Sequence, residues 1–184
     1  VLRIPSYVQA IQRGKIQPNA GPSIIRQTPT SALVDGAWTF GHVSALYATQ
    51  VAISKAKESG VAVVGLVKAN HIGRLGTYPT VAAREGVVAM VTLGGLGQQV
   101  APFGGRKGAF GTNPISFGFP AAEHPDLLVD FATSAIAGGK VMVARAKHEP
   151  VPPGTMLDSD GNPTTDPNAL WNGGMLLPFG AHKG

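Results

Sequence analysis

In the stretch "VVGLVKANHIGRLGTY" (residues 63–78), His71 follows an apolar run and precedes a turn broken by Gly73 and Gly76. An imidazole of ordinary pKa, about 6.5, can give or take a proton near neutral pH. A strand ending just before it would project it from a rigid element into a loop-lined cleft, and the glycines would let a ligand approach the backbone. The competing reading is a structural histidine satisfied by backbone groups, and the residue alone does not choose between them. Arg3, one helical turn before Tyr7, carries a guanidinium able to grip a carboxylate through two parallel bonds; the alternative is a solvated surface arginine. Tyr7 reads as a helix packing residue rather than a lid over a ligand. Thr112 and Asn113 end a glycine-rich stretch, and Asn113 can both donate and accept, although an asparagine before a proline is also an ordinary turn residue. Asp130, Phe131, Ala132, Thr133 and Ser134 read as a strand end running into a helix start, where backbone amides can hold an anion. Ser134 is equally a plain N-cap, and Asp130 a structural turn acid.

These side chains depend on the elements that carry them. Ile4, Tyr7, Val8 and Ile11 form a helical stripe, with Pro5 suited to the first turn and Gly14 as the stop. A Pro/Gly/Ser-rich connector follows, with a short apolar centre at Ile24 and Ile25, and then a short strand "ALVDG". Val43, Leu46, Tyr47 and Val51 mark an amphipathic helix that stops at Gly60. The β-branched run "VAVVGLVKA" predicts a buried strand, residues 79–85 a second helix, and "VVAMVTL" another strand. This helix–strand alternation is that of a mixed α/β domain. The glycine-rich stretch 94–114 cannot be one helix and is long for a passive connection. "ISFGFP" and "LLVDF" are short strands joined by a turn, and Ile136, Val141 and Ala144 give a last helical stripe. Residues 151–180 read as loop, with turns at "DSDG" and "TTDP".

At 184 residues, the chain allows one sizeable domain or one and a half. With 43% hydrophobic and 14% charged residues it can build an ordinary core. It has no run long enough to span a bilayer. Zero cysteines exclude disulfides and thiolate metal sites, and accord with a reducing, cytoplasmic setting. The net charge of +5 and pI near 9.8 admit a nucleic-acid surface. The basic residues are dispersed, however, and aromatics are only 7%, so a solvated surface is the better reading. Several motifs fail on inspection. Gly95-x-Gly97-x-x-Val100 lacks the third small residue of a dinucleotide loop, and Pro102 with Gly104 and Gly105 bars a following helix. "GAWTFGHV" has P-loop glycine spacing but places His42 and Val43 where Lys and Ser/Thr are needed. "DSDGNPTTD" lacks the register and closing Glu of a calcium loop. The histidines make no metal pair: His124 and His148 sit beside turns, and His42, just ahead of a helix, suits a cap. No metal is expected.

Taken in order, "NHIGRLGTYPTVAAREG", "APFGGRKGAFGTNPISFGFP", "LLVDFATSAIAGGKV" and "LPFGAHKG" resemble the malate/L-lactate dehydrogenase family that is unrelated to the Rossmann-type lactate dehydrogenases. The resemblance runs through essentially the whole chain. It implies an NAD(P)-dependent oxidoreductase acting on a small 2-hydroxy or 2-oxo acid, a non-Rossmann cofactor domain with a mixed sheet covered by helices, and a homodimer. It assigns His71 as proton donor or acceptor. Arg3, Thr112 and Asn113 would bind substrate; Asp130, Phe131, Ala132, Thr133, Ser134, His182 and Lys183 would bind NAD or NADP. It further implies a Ser-His-Gly segment upstream of "VLRIPSY" with a second catalytic histidine, and more chain beyond "HKG". On this reading residues 1–22 are part of a helical N-terminal region, and residues 23–184 are the catalytic α/β domain of a longer protein. Nucleic acid and membrane are not expected partners. A transferase using the glycine loop to hold phosphate is the rival enzyme class, but no magnesium-ligand pair supports it.

Overall fold

A computed structural model describes residues 3–95 and 97–181. The chain divides into two compact units, one built from residues 3–91 and 116–129, the other from residues 92–115 and 130–181.

The first unit opens with helix α1 (Ile4–Gln12), with Pro5 in its first turn. Strands β1 (Ser23–Thr28) and β2 (Ser31–Asp35) pair antiparallel with an irregularity between Ile24 and Arg26, and β2 pairs parallel with β3 (Val63–Val67). The sequence connector thus contains a strand at its apolar centre, on the edge of a three-stranded mixed sheet. Helix α2 (Gly41–Ser59) makes the crossover from β2 to β3, as a parallel pair requires. It ends where Gly60 takes a left-handed φ of 79° and its N–H bonds Ala56 O. Helix α3 (Thr77–Arg84) packs against α2. Strands β4 (Ala89–Thr92), β5 (Ile115–Phe119) and β6 (Leu127–Phe131) form a second three-stranded sheet in that order.

Two expectations about burial are corrected. The buried face of α2 is Gly41, Ser44, Ala45, Ala48 and Ile53, whereas Val43 and Leu46 of the expected apolar stripe are exposed. Small residues win the inner face because they let the helix backbone approach the loop and sheet beneath it, where larger chains would overpack. Strand β3 is not buried on both faces either: Val63 and Val67 point out, at 71% and 40% exposure.

In the second unit, helix α4 (Gly138–Lys147) contributes Val141 and Ala144 to a core with Val100, Ile136, Val151, Met156, Ala169 and Leu176. The expected stripe therefore does face inward. The stretch read as loop holds three two-residue strands, β7 (Met156–Leu157), β8 (Pro163–Thr164) and β9 (Met175–Leu176), in the order β8-β7-β9. A 3-10 turn (Pro167–Trp171) lies between β8 and β9, capped by Asp166 accepting from Asn168 N. The glycine-rich stretch is tied down where Val100 bridges both Phe110 and Leu176. No helix among the described residues is long and apolar enough to cross a membrane.

Candidate active site

In the first unit, the loop that follows β3 carries His71 and is held from three directions. Asn70 Nδ2 donates to Lys15 O, Trp38 O and Thr39 O at 3.1, 2.7 and 3.0 Å, tying the loop to the segment after α1 and to the turn before α2. Gly41, at the start of α2, lies so close that a Cβ there would sit 2.2 Å from Asn70 O and 2.4 Å from His71 O. From below, the buried Tyr78 on α3 donates its hydroxyl to Ile72 O. Burial, and then the neighbouring Tyr7, push the Tyr78 phenol up to about 12, so it stays protonated as that donor.

Above this platform four side chains converge. Tyr7 Oη and His71 Nδ1 are 2.8 Å apart, a hydrogen bond between α1 and the loop. Tyr7 meets Phe40 and His42 edge-on, with ring centroids 6.2 and 6.1 Å apart. His42 in turn lies edge-on to His71 at 6.0 Å and 75°. Arg3, the residue that starts α1, acts on His71 electrostatically. His71 as a residue is exposed, yet its ring is partly covered. That burial first, then Arg3, then His42, hold the imidazole down from 6.5 to about 4. Near neutral pH the ring is therefore uncharged. Nδ1 is engaged by Tyr7, which among the described residues leaves Nε2 as the ring nitrogen without a hydrogen bond. The tyrosine hydroxyl can accept from Nδ1–H or donate to bare Nδ1, so it tolerates His71 with or without the extra proton.

The sequence reading placed Arg3 and His71 here but took Tyr7 for a packing residue, whereas its hydroxyl is bonded to His71. It took His42 for a cap, whereas the N-cap of α2 is Phe40 and makes no side-chain cap bond. One signal was available: Gly41 directly before His42 and Gly73 two residues after His71 are both places where backbones and rings crowd.

In the second unit, Thr112, Asn113 and Thr133 come together. Asn113 Oδ1 accepts from Gly95 N at 2.8 Å, closing the base of the glycine-rich stretch. Thr133 Oγ1 donates to Asn113 O at 2.9 Å, and Thr133 N donates to Thr112 O at 2.9 Å. Asn113 holds a φ of +29°, sparsely populated backbone of the kind found at ligand sites. An open groove of about 180 Å³ is lined by Val100, Pro102, Phe103, Phe110, Asn113 and Thr133, among others. Phenyl rings with one carboxamide and one hydroxyl are a lining that suits a flat ring bearing an amide, such as nicotinamide. Asp130 and Phe131 end β6, and Phe131 packs its ring on Phe179 at 5.6 Å.

The expected helix start at Thr133 and Ser134 is corrected. Helix α4 begins at Gly138 with Ala137 as its N-cap. Ser134 instead bridges Pro178, is 4% exposed, and donates its hydroxyl to Ile136 O. The amides of Thr133 and Ala135 are bonded to Thr112 O and Leu177 O. The cause is strand-like pairing with residues 177–179, which outcompetes the capping role that a serine before an apolar stripe suggests. His182 and Lys183 lie outside the described residues. Among the described residues no group of three or more His, Asp or Glu could hold a metal ion.

A family model described as malate/L-lactate dehydrogenase matches residues 1–184. The chain belongs to that family. It is 41% identical over 182 residues to the L-sulfolactate dehydrogenase of Methanothermobacter thermautotrophicus, covering 99% of this chain and 52% of the relative. It is 39% identical over 184 residues to the Δ1-pyrroline-2-carboxylate/Δ1-piperideine-2-carboxylate reductase of Pseudomonas putida, covering 100% and 54%. The crystal structure of the Δ1-piperideine-2-carboxylate reductase of Pseudomonas syringae pvar. tomato superposes with a TM-score of 0.91 at 36% identity, covering 100% of this chain and 55% of that one. The chain thus spans about half the length of the relatives it matches.

Proposed function

We propose that the full-length protein is an NAD(P)-dependent oxidoreductase that moves a hydride between nicotinamide and a small 2-hydroxy/2-oxo acid, with His71 handling the proton. The relatives' names cover sulfolactate, malate, lactate and cyclic imino acids. These share a carboxylate next to the carbon that is oxidised or reduced. The observation that carries the reading is the Tyr7–His71 hydrogen bond beside Arg3.

When bound, NAD(P) accepts or supplies the hydride at the substrate carbon. Asn113 and Thr133 are the side chains proposed to hold its ring, with Asp130, Phe131, Ala132, Ser134, His182 and Lys183 proposed as further cofactor-binding residues. Arg3 holds the substrate carboxylate. In the oxidising direction, neutral His71 with Nδ1–H on Tyr7 presents a bare Nε2, which takes the hydroxyl proton as the hydride leaves. In the reducing direction the imidazolium returns that proton to the new alkoxide oxygen. An arriving carboxylate also offsets the Arg3 charge that opposes protonation of His71, so binding substrate makes the ring a better base. Thr112 shapes the backbone that positions Asn113. On this reading the protein is a cytoplasmic homodimer, and residues 1–22 belong to a helical region distinct from the α/β part.

The test is an absorbance assay of the full-length protein with pyruvate, oxaloacetate and other 2-oxo acids, using NADH and NADPH. Oxidation of the reduced nicotinamide is expected with at least one acid. Arg3→Ala is expected to raise the KM for that acid about 10-fold or more, the loss of a charge-assisted bidentate contact. No turnover with any 2-oxo or cyclic imino acid, or an unchanged KM in Arg3→Ala, would count against the reading.

A further inference from the structure

We propose that His42 is a positioning residue for His71: its ring, wedged between Tyr7, His71 and the backbone of Gly73, fixes the His71 imidazole with Nδ1 on Tyr7 and Nε2 free for substrate. The inference rests on the acid/base role of His71 given above.

The geometry is specific. His42 is the second residue of α2, so its Cα is anchored by a helix whose first residue already touches the backbone of residues 70 and 71. Its ring stands edge-on to Tyr7 at 86° and to His71 at 75°. Edge-to-face contacts of this kind fix a ring's tilt as well as its distance. On its remaining side, His42 Nε2 occupies space that only a glycine leaves open, since a Cβ on Gly73 would fall 2.4 Å from it. Gly73 also has a φ of +77°, which an L side chain rarely adopts. Helix and loop are thus both shaped to admit this ring. His71 lies within the loop after β3, and among the described residues its ring has one hydrogen bond, to Tyr7, to orient it; without a second ring beside it, the imidazole could rotate about that bond. Among the described residues, the groups acting on His71 are Arg3 just before α1, Tyr7 from α1 and His42 from α2, with Tyr78 of α3 bonded one residue away. None is acidic. Burial of the His71 ring, and then the electrostatic effects of Arg3 and His42, all work against its protonation.

The experiment compares His42→Ala and His42→Phe in the full-length protein, with two readouts. The first is an NMR pH titration of the His71 ring without ligands. The second is kcat and KM with the best 2-oxo acid from the panel. His42→Ala is expected to move the His71 midpoint up from about 4 toward 6.5, and to lower kcat about 10-fold with little change in KM. His42→Phe keeps the edge-on ring, and is expected to restore most of kcat and to hold the midpoint low. If His42→Ala does not fold, His42→Leu replaces it with the same expectation for kcat and a smaller rise of the midpoint, since it fills space without an aromatic edge. A wild-type titration and kcat in His42→Ala or His42→Leu overturns the proposal, as does a Phe variant no better than Ala. His71→Asn is measured alongside. If it retains turnover, the acid/base reading itself falls; if it is inactive while the His42 variants match wild type, only the positioning role falls.

Discussion

His71 reaches an unusual state for a surface histidine because its ring is partly buried and two positively charged or chargeable neighbours, Arg3 and His42, oppose its charged form. Partial burial, Arg3 and His42 all disfavour the imidazolium, and they leave a ring that titrates at about 4. Two consequences follow for pH. In the oxidising direction, kcat/KM should be flat above neutral pH and fall only as the pH approaches about 4, because the base must be unprotonated in the free protein. Stability should respond over a different window. The folded ring titrates at about 4 and the unfolded one near 6.5, so the unfolded chain binds more protons between those values. The His71 contribution therefore weakens the fold as pH falls from 6.5 to 4 and changes no further below that. Urea midpoints of wild type and His71→Asn across this range check it: their difference should grow in favour of the variant as pH drops. An unchanging difference would place the ring in ordinary solvent. At this scale much was legible. A histidine after an apolar run and an arginine one turn before a tyrosine announce themselves by type and spacing. His42 and the hydroxyl role of Tyr7 did not, because both depend on which rings meet across 29 and 64 residues of chain respectively, and nothing local encodes that.

The elements matter here as the walls of a socket. Helix α2 approaches the His71 loop without a side chain at Gly41, and Asn70 ties that loop to carbonyls on two other segments. Gly41→Ala would push a methyl group into Asn70 O and His71 O, both backbone atoms with little freedom to yield. A cost of about 1–3 kcal/mol is expected from such overpacking, read as a lowered urea midpoint, together with reduced kcat as the loop shifts. A variant as stable and as active as wild type would mean the loop yields easily. The longer elements were readable from periodicity, including the stop of α2 at Gly60 and the inward stripe of α4. The inner face of α2 was not, since the pattern of large apolar residues points outward and the true contact face is made of Gly, Ser and Ala. Strands β7, β8 and β9 were missed because two residues are too few to show a period, and β1 because prolines and glycines flank it. The start of α4 was misplaced for a related reason: Ser134 looks like a cap locally, but pairing with Pro178 claims it.

For the whole molecule, family membership and the chemistry of the His71 cluster meet in one statement. This chain spans about half the length of its relatives, and the apolar residues it exposes on β3, β4 and β6, such as Val63, Met90 and Leu127, are the kind of surface that further protein covers. Activity therefore belongs to measurements on the full-length protein. A net charge of +5 favours anionic small molecules in general, and on the proposed reading it is Arg3, acting together with a proton-handling His71, that would select a 2-oxo acid. The most direct measurement is the turnover of His71→Asn, which keeps a polar side chain of similar shape but cannot carry the proton, with the acid and cofactor that wild type uses best. A fall in kcat of about 100-fold or more, with the urea midpoint at pH 7 unchanged, is the predicted result. Turnover within a few-fold of wild type would contradict it and remove His71 from the chemistry.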